Sequence, residues 1–289
     1  MDAISVIKRC AEEGCTIGGL AFALEKENNG LSASEVLLKV EQMLSVMEKA
    51  ASSALTQPVR SVSGLTGGDA FLYNNYYTVG SSMMGEIPSL AIAYALSSSE
   101  TNAAMGRIVA CPTAGSCGIL PAAIFSVAKV RNLSRAKLVD AFLTAGVLGM
   151  IIDEHACLAG AQGGCQAECG SASAMAAAAV VAMLDGTPEQ CFNAAAITIK
   201  NSLGLVCDPV AGLVEIPCIK RNVGGVMNAL SAADLALAGV RSYIPFDDCV
   251  DAMNRVGNLM PASLRETAQG GLAVTATGRE MMERVFGSR

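Results

Sequence analysis

The chain has 289 residues, 52% of them hydrophobic and 16% charged, with 29 glycines, no tryptophan and a net charge of −6. So apolar a chain can bury ample core, which excludes intrinsic disorder, and its acidic balance argues against a nucleic-acid surface. Aromatics are only 4%, so the core must be filled by Ala, Val, Leu, Ile and Met. Small residues let helices approach closely, whereas sheets favour aromatic and β-branched side chains. The composition therefore predicts an all-α protein, a compact multi-helix bundle with small-residue packing.

At the N-terminus, Asp2, Lys8 and Arg9 interrupt residues 1–10 before any apolar secretory run forms, which predicts a cytoplasmic protein. In that compartment the 11 cysteines are expected as buried thiols or metal ligands rather than disulfides. Residues 1–54 are the more charged part and read as a peripheral helical arm on one domain spanning 1–289. Within them, Ser32 and Glu35 form a capping-box start, followed by Leu37, Val40, Leu44 and Met47 at helical spacing. Ser134 opens another helix, with Leu138, Phe142 and Ala145 on one face. Thr187-Pro188-Glu189-Gln190 is a further start, with a capping threonine, proline at the first helical position and glutamine at the third. Asp247 or Asp248 is placed to cap a helix carrying Val250, Met253 and Leu259. No stretch alternates with period two over strand length. The most apolar run, 174–184, is too short for a bilayer, which needs about 20 residues, so no membrane association is expected.

Between the helices, Gly, Pro and Ser cluster at 63–68, 111–121, 160–170, 207–217 and 269–278. Cys165, Cys207 and Cys218 each sit beside glycine or proline, where bent backbone can aim several thiolates at one point. A cluster held by three thiolates leaves one iron open as a Lewis acid. Free cysteine is also among the most buried residue types, so packing alone accounts for such positions, and the spacing leaves both readings standing. The pairs Cys111/Cys117 and Cys165/Cys169 match no zinc-ribbon spacing, and the chain has one histidine, which disfavours structural zinc. Thr113-Ala114-Gly115-Ser116, a small hydroxylated turn before an apolar helix, offers backbone N–H groups to an anion such as a carboxylate. Gly67, Gly68 and Asp69 lie in a loop of the same character, which lacks the Gly-Lys-Ser/Thr ending of a P-loop.

The runs "GCQAECGSASAMAAAA", "GTPEQ", "KNSLGLVCDPVAGLVEIPCIKRN", "PTAGSCG", "GLTGGDA" and "MPASLRETAQGGLAVTATGRE" resemble the α chain of the bacterial iron–sulfur-dependent L-serine dehydratases. The resemblance runs from about Leu37 to the C-terminus. It implies a [4Fe–4S] cluster on Cys165, Cys207 and Cys218, which are 42 and then 11 residues apart. It also implies dehydration of L-serine to pyruvate and ammonia without pyridoxal phosphate, for which nothing in the sequence marks a site. The Thr113–Ser116 turn becomes the candidate carboxylate cradle, with Gly67, Gly68 and Asp69 as further pocket residues. The chain length resembles the two-subunit type, whose regulatory domain is a separate β chain. One segment departs from the family pattern: His155-Ala156-Cys157-Leu158-Ala159-Gly160-Ala161 stands where Asn-Ala-Ser-Ile-Ser-Gly-Ala is typical. The chain's one histidine, His155, is thereby a candidate catalytic residue. The lost hydroxyls admit a different β-hydroxy acid, such as 2-(hydroxymethyl)glutarate, as an alternative substrate, and a non-catalytic iron–sulfur scaffold subunit is the alternative of another class.

Overall fold

Local sequence signals set the helices of the computed structural model, which describes residues 1–287. The chain runs through α1 (Ala3–Glu13), α2 (Ile17–Asn29), α3 (Ala33–Ser53), α4 (Asp69–Thr78), α5 (Glu86–Ala103), α6 (Ile119–Arg131) and α7 (Arg135–His155). A single turn, α8 (Gly160–Gly163), precedes α9 (Ser171–Met183), α10 (Pro188–Ser202), α11 (Cys218–Leu237), α12 (Phe246–Leu259) and α13 (Ala276–Phe286). Among the described residues there is no strand, only two isolated bridges, Arg60 with Gly67 and Cys207 with Arg265. The fold is all-α and compact, as the composition predicts.

The expected starts at Ser32 and Thr187 are present as reciprocal capping boxes. Glu35 N–H donates to Ser32 Oγ at 3.3 Å and Ser32 N–H to Glu35 Oε2 at 2.8 Å, satisfying two backbone donors that a helix start otherwise leaves open. Along α3 the core face is Val36, Val40, Leu44 and Met47. Leu37 is exposed, because burial follows the three-four spacing back from Val40 to Val36. On α7, Leu138 and Ala145 are buried with Ala141 between them, and Phe142 is half-buried at the rim. The start of α12 differs from expectation. Pro245 occupies the cap position and Asp247 lies inside the first turn. Its carboxylate instead accepts the Ala3 N–H at 3.2 Å, so Asp247 stabilises the start of α1 across the fold. Val250 and Met253 are buried as expected, while Leu259 at the helix end points to solvent.

All thirteen residues of α9 are buried. It packs against α6, α7, α10 and α11, and a helix apolar all round is stable only with neighbours on every side. Its alanines allow that close approach, which is the physical content of the small-residue composition. Val6, Ile17, Leu20, Leu44 and Met47, from the first 54 residues, belong to the same hydrophobic cluster as α9. Full burial of side chains such as Leu44 and Met47 contributes about 1.5–3 kcal/mol each. No helix among the described residues is long and apolar enough to cross a membrane.

Candidate active site

The central helix begins at the site. A π-turn, Gln166–Gly170, leads into α9 and carries Cys165 at its entrance. Such turns are local distortions that helices tolerate mostly where function requires them. Gln166, fully buried, fixes this one: its amide donates to Met253 O at 2.8 Å, and its carbonyl accepts Gly204 N–H at 2.9 Å. Gly164 has φ +76°, and a Cβ there would lie 2.9 Å from the backbone Leu205 O, so glycine is the residue that delivers the chain to Cys165 in this direction.

Cys207 arrives from a loop, and its backbone is held by the segment after α12. Its N–H donates to Leu264 O at 2.9 Å and its carbonyl accepts Glu266 N–H at 2.7 Å. Cys218 is the first residue of α11. One turn later, Asn222, 1% exposed, ties three parts together. Its amide donates to Cys218 O at 2.9 Å and to Gly115 O at 2.7 Å, and its Oδ1 accepts Gly118 N–H at 2.9 Å. The Thr113–Ser116 turn is thereby clamped to the helix that carries Cys218.

The three cysteines are 2%, 3% and 9% exposed in chain order, so each thiol is largely shielded from water. Cys169, one turn into the π-segment, places its sulfur 3.4 Å from that of Cys165. Hydrogen bonding with Cys169, with the Arg221 guanidinium adding, holds the Cys165 thiol below its ordinary value. Burial pushes Cys207 and Cys218 up, Cys218 to about 12, and negative charge on Cys165 and Glu168 pushes both further in the same direction. Cys207 and Cys218 thus both feel the charge on Cys165. Arg221 is the cation at that centre. It donates to Asp208 Oδ1 at 2.8 Å and to Val206 O at 2.7 Å, which fixes it beside Cys165.

Among the described residues no three His, Cys, Asp or Glu side chains already stand at metal-ligand distance. The donor chemistry nevertheless fits a group that binds sulfur. Buried thiols, with Cys165 eased toward its ionised form by Cys169 and Arg221, are the soft donors that a thiolate-held iron cluster uses. A cavity of about 750 Å³ lined by Cys169, Arg221, Lys220 and Ser173 opens beside them.

The candidate cradle is brought to the thiols. Thr113 and Ser116 hydroxyls lie 3.1 Å apart, Ser116 is buried, and a Cβ at Gly115 would lie 3.4 Å from Glu168 Oε1. Ala114 faces solvent and Gly115 is half-buried. Gly67, Gly68 and Asp69 are not gathered with them. Asp69 ion-pairs with Lys220, and its N–H donates to Glu100 Oε1 at 2.6 Å. Their loop touches the site through its neighbour Thr66, whose hydroxyl donates to Glu215 Oε2 at 2.6 Å in the cysteine loop.

His155 is not gathered either. It is exposed at the end of α7, and its Nε2 lies 3.0 Å from Met1 O, beside Asp2 and Asp247. Proximity in sequence to Cys165 misleads here because the chain turns away at Ala156, placing the ring against the N-terminus while Gly160 enters the site. Glu168, Arg221 and Asn222 escaped the sequence reading. All three lie inside the runs that carry the resemblance, but a carboxylate, a guanidinium and an amide have no fixed spacing that marks them.

Fold and site together define an all-helical protein whose helix-breaking segments gather buried thiols, a hydroxylated turn and a carboxyl. The chain belongs to the serine dehydratase alpha chain family, whose model matches residues 8–273. It is 48% identical to the probable L-serine dehydratase, alpha chain, of Bacillus subtilis (strain 168) over 282 residues, 98% of this chain and 94% of that one. It is also 48% identical to the L-serine dehydratase, alpha chain, of Peptoniphilus asaccharolyticus, over 96% of this chain and 94% of that one. An L-serine dehydratase of Streptomyces coelicolor matches at 44% identity over 63% of this chain and 40% of its own.

Proposed function

We propose that this chain is the catalytic subunit of an iron–sulfur L-serine dehydratase, converting L-serine to pyruvate and ammonia together with a β chain. The observation that carries the reading is likeness along nearly the whole chain to proteins named L-serine dehydratase, alpha chain. The shielding of all three motif cysteines supports it further. Cys165, Cys207 and Cys218 would hold the [4Fe–4S] cluster, and the relatives' designation as α chains supports a separate β partner.

When bound, a cluster with one iron free of protein ligands supplies a Lewis acid that makes the substrate's hydroxyl a tolerable leaving group. The chain's own residues bind and orient the substrate. The Thr113–Ser116 turn presents hydroxyls and backbone N–H groups to the substrate carboxylate. Arg221 offsets the negative charge gathered at the thiols. Asn222 fixes the cradle relative to Cys218, so substrate and metal site keep one geometry. The Gly67–Asp69 loop braces the cysteine loop through Thr66 and Glu215. Transfer of the α-proton to a base and departure of the hydroxyl as water leave an enamine, which hydrolyses in solution to pyruvate and ammonia.

The decisive experiment reconstitutes the chain anaerobically with its β partner and compares L-serine with 2-(hydroxymethyl)glutarate. Pyruvate from serine, at least about a hundredfold faster than turnover of the other acid, is the expected result. The reverse order would overturn the serine assignment. Anaerobic iron and sulfide analysis checks the ligands: Cys207→Ser, Cys165→Ser and Cys218→Ser are each expected to lose most of the bound iron.

A further inference from the structure

Of the groups gathered at the thiols, Glu168 is the one to which the roles above assign no partner. It belongs to the π-turn below α9 and is half-buried, so its carboxyl lines the site while remaining reachable. Two glycines place it. A Cβ at Gly160 would lie 2.8 Å from Glu168 Oε2 and 3.0 Å from Cys207 Sγ, so carboxyl and thiol share one glycine-sized gap. A Cβ at Gly115 would lie 3.4 Å from Glu168 Oε1, which sets the carboxyl against the candidate carboxylate cradle. The Thr113 side chain is near enough to favour its ionised form, against the effect of burial.

Glu168 forms no ion pair among the described residues. Arg221, the cation at this centre, is engaged by Asp208 and by Val206 O. A carboxylate kept partly from water is costly unless a cation joins it. Glu168 thus stands without a cation of the protein's own, between the turn that suits a carboxylate and the thiols. An α-amino acid brings both groups at once, a carboxylate for the turn and an ammonium one carbon away.

We infer that Glu168 is the specificity-determining residue of the site, its carboxylate receiving the substrate's α-ammonium and so selecting β-hydroxy amino acids over hydroxy acids that lack the amine. The inference rests on the proposed dehydratase reading and names the part of the site that chooses the substrate class. A charge-assisted hydrogen bond to an ammonium is worth about tenfold to a hundredfold in affinity.

The test uses the anaerobically reconstituted α/β enzyme. L-Alanine and propionate differ by the ammonium and carry no leaving group, so both can be titrated by ligand-observed NMR without turnover. The parent enzyme is expected to bind L-alanine at least about tenfold more tightly than propionate. Glu168→Gln is expected to bring the two within about threefold, with propionate affinity and iron content unchanged, while KM for L-serine rises more than kcat falls. Glu168→Asp is expected to recover part of the preference. Equal weakening of both ligands, or an unchanged preference in Glu168→Gln, would overturn the inference. So would loss of iron in both Glu168→Gln and Glu168→Asp, which would make the residue a support of the metal site. Serine turnover by the parent reports separately on the underlying reading: absence of turnover sinks the dehydratase proposal, whereas turnover with an unchanged preference sinks only the role of Glu168.

Discussion

Gly160 shows how much of the site depends on atoms that are not there. Its missing Cβ leaves room for both Glu168 and the Cys207 sulfur. Gly160→Ala is expected to displace one of them and cost about tenfold or more in iron affinity, which anaerobic iron titration measures. His155 marks the opposite case. Its ring contacts the N-terminal residue rather than any thiol, so His155→Ala should leave kcat/KM within about threefold of the parent. A loss beyond about a hundredfold in that assay would place the ring in the chemistry after all. At this scale the three cysteines were visible in the sequence by their glycine and proline neighbours. Glu168, Arg221 and Asn222 acquire their roles only from partners far away in the chain, such as Asp208 for Arg221 and Gly115 for Asn222.

Among the elements, α4 illustrates a helix start stabilised from outside. Its cap position is Gly68, which has no side chain to offer, and Glu100 on α5 accepts the Asp69 and Ala70 N–H groups instead, at 2.6 and 3.3 Å. Burial raises the Glu100 carboxyl above the ordinary glutamate value, with Asp69 adding to the shift. The folded chain therefore holds this proton more firmly than the unfolded one. Its contribution to stability is largest at low pH and declines as pH rises through the ordinary value and the raised one. Glu100→Gln keeps an acceptor without the charge, so its melting temperature relative to the parent should improve as pH rises through that window. A difference independent of pH in thermal melts would refute this. Capping boxes at Ser32 and Thr187 were legible because they need only residues three apart. The Asp247 bond to α1 was not, because it joins residues at opposite ends of the chain.

For the molecule as a whole, Asp208 is the point where three regions meet. It follows Cys207 directly, pairs with Arg221 on α11 at 2.8 Å, and accepts the Leu272 N–H at 2.8 Å from the C-terminal segment. That segment also supplies the backbone partners of Cys207, and α13 beyond it packs on the Val210–Gly212 turn. Removing one partner of such a buried pair leaves the other charge uncompensated, so Asp208→Ala should cost on the order of 3 kcal/mol. Urea unfolding measures that loss. Limited proteolysis should show earlier cleavage around residues 265–275 in the variant, and an unchanged cleavage pattern would mean that the segment is held by other contacts.

The sequence by itself determined the helical class, because scarce aromatics and abundant small apolar residues leave helix packing as the workable core. It also determined the breaks between helices and the cysteines placed at them, since caps, glycines and prolines act within a few residues. Tertiary structure decided which breaks converge. It brought the Thr113–Ser116 turn to Cys218 through Asn222, set Glu168 against Gly160 and Gly115, and left His155 and Asp69 engaged elsewhere. The physical reason is that hydrogen bonds and ion pairs between distant segments depend on how buried helices stack, and no local spacing encodes that stacking.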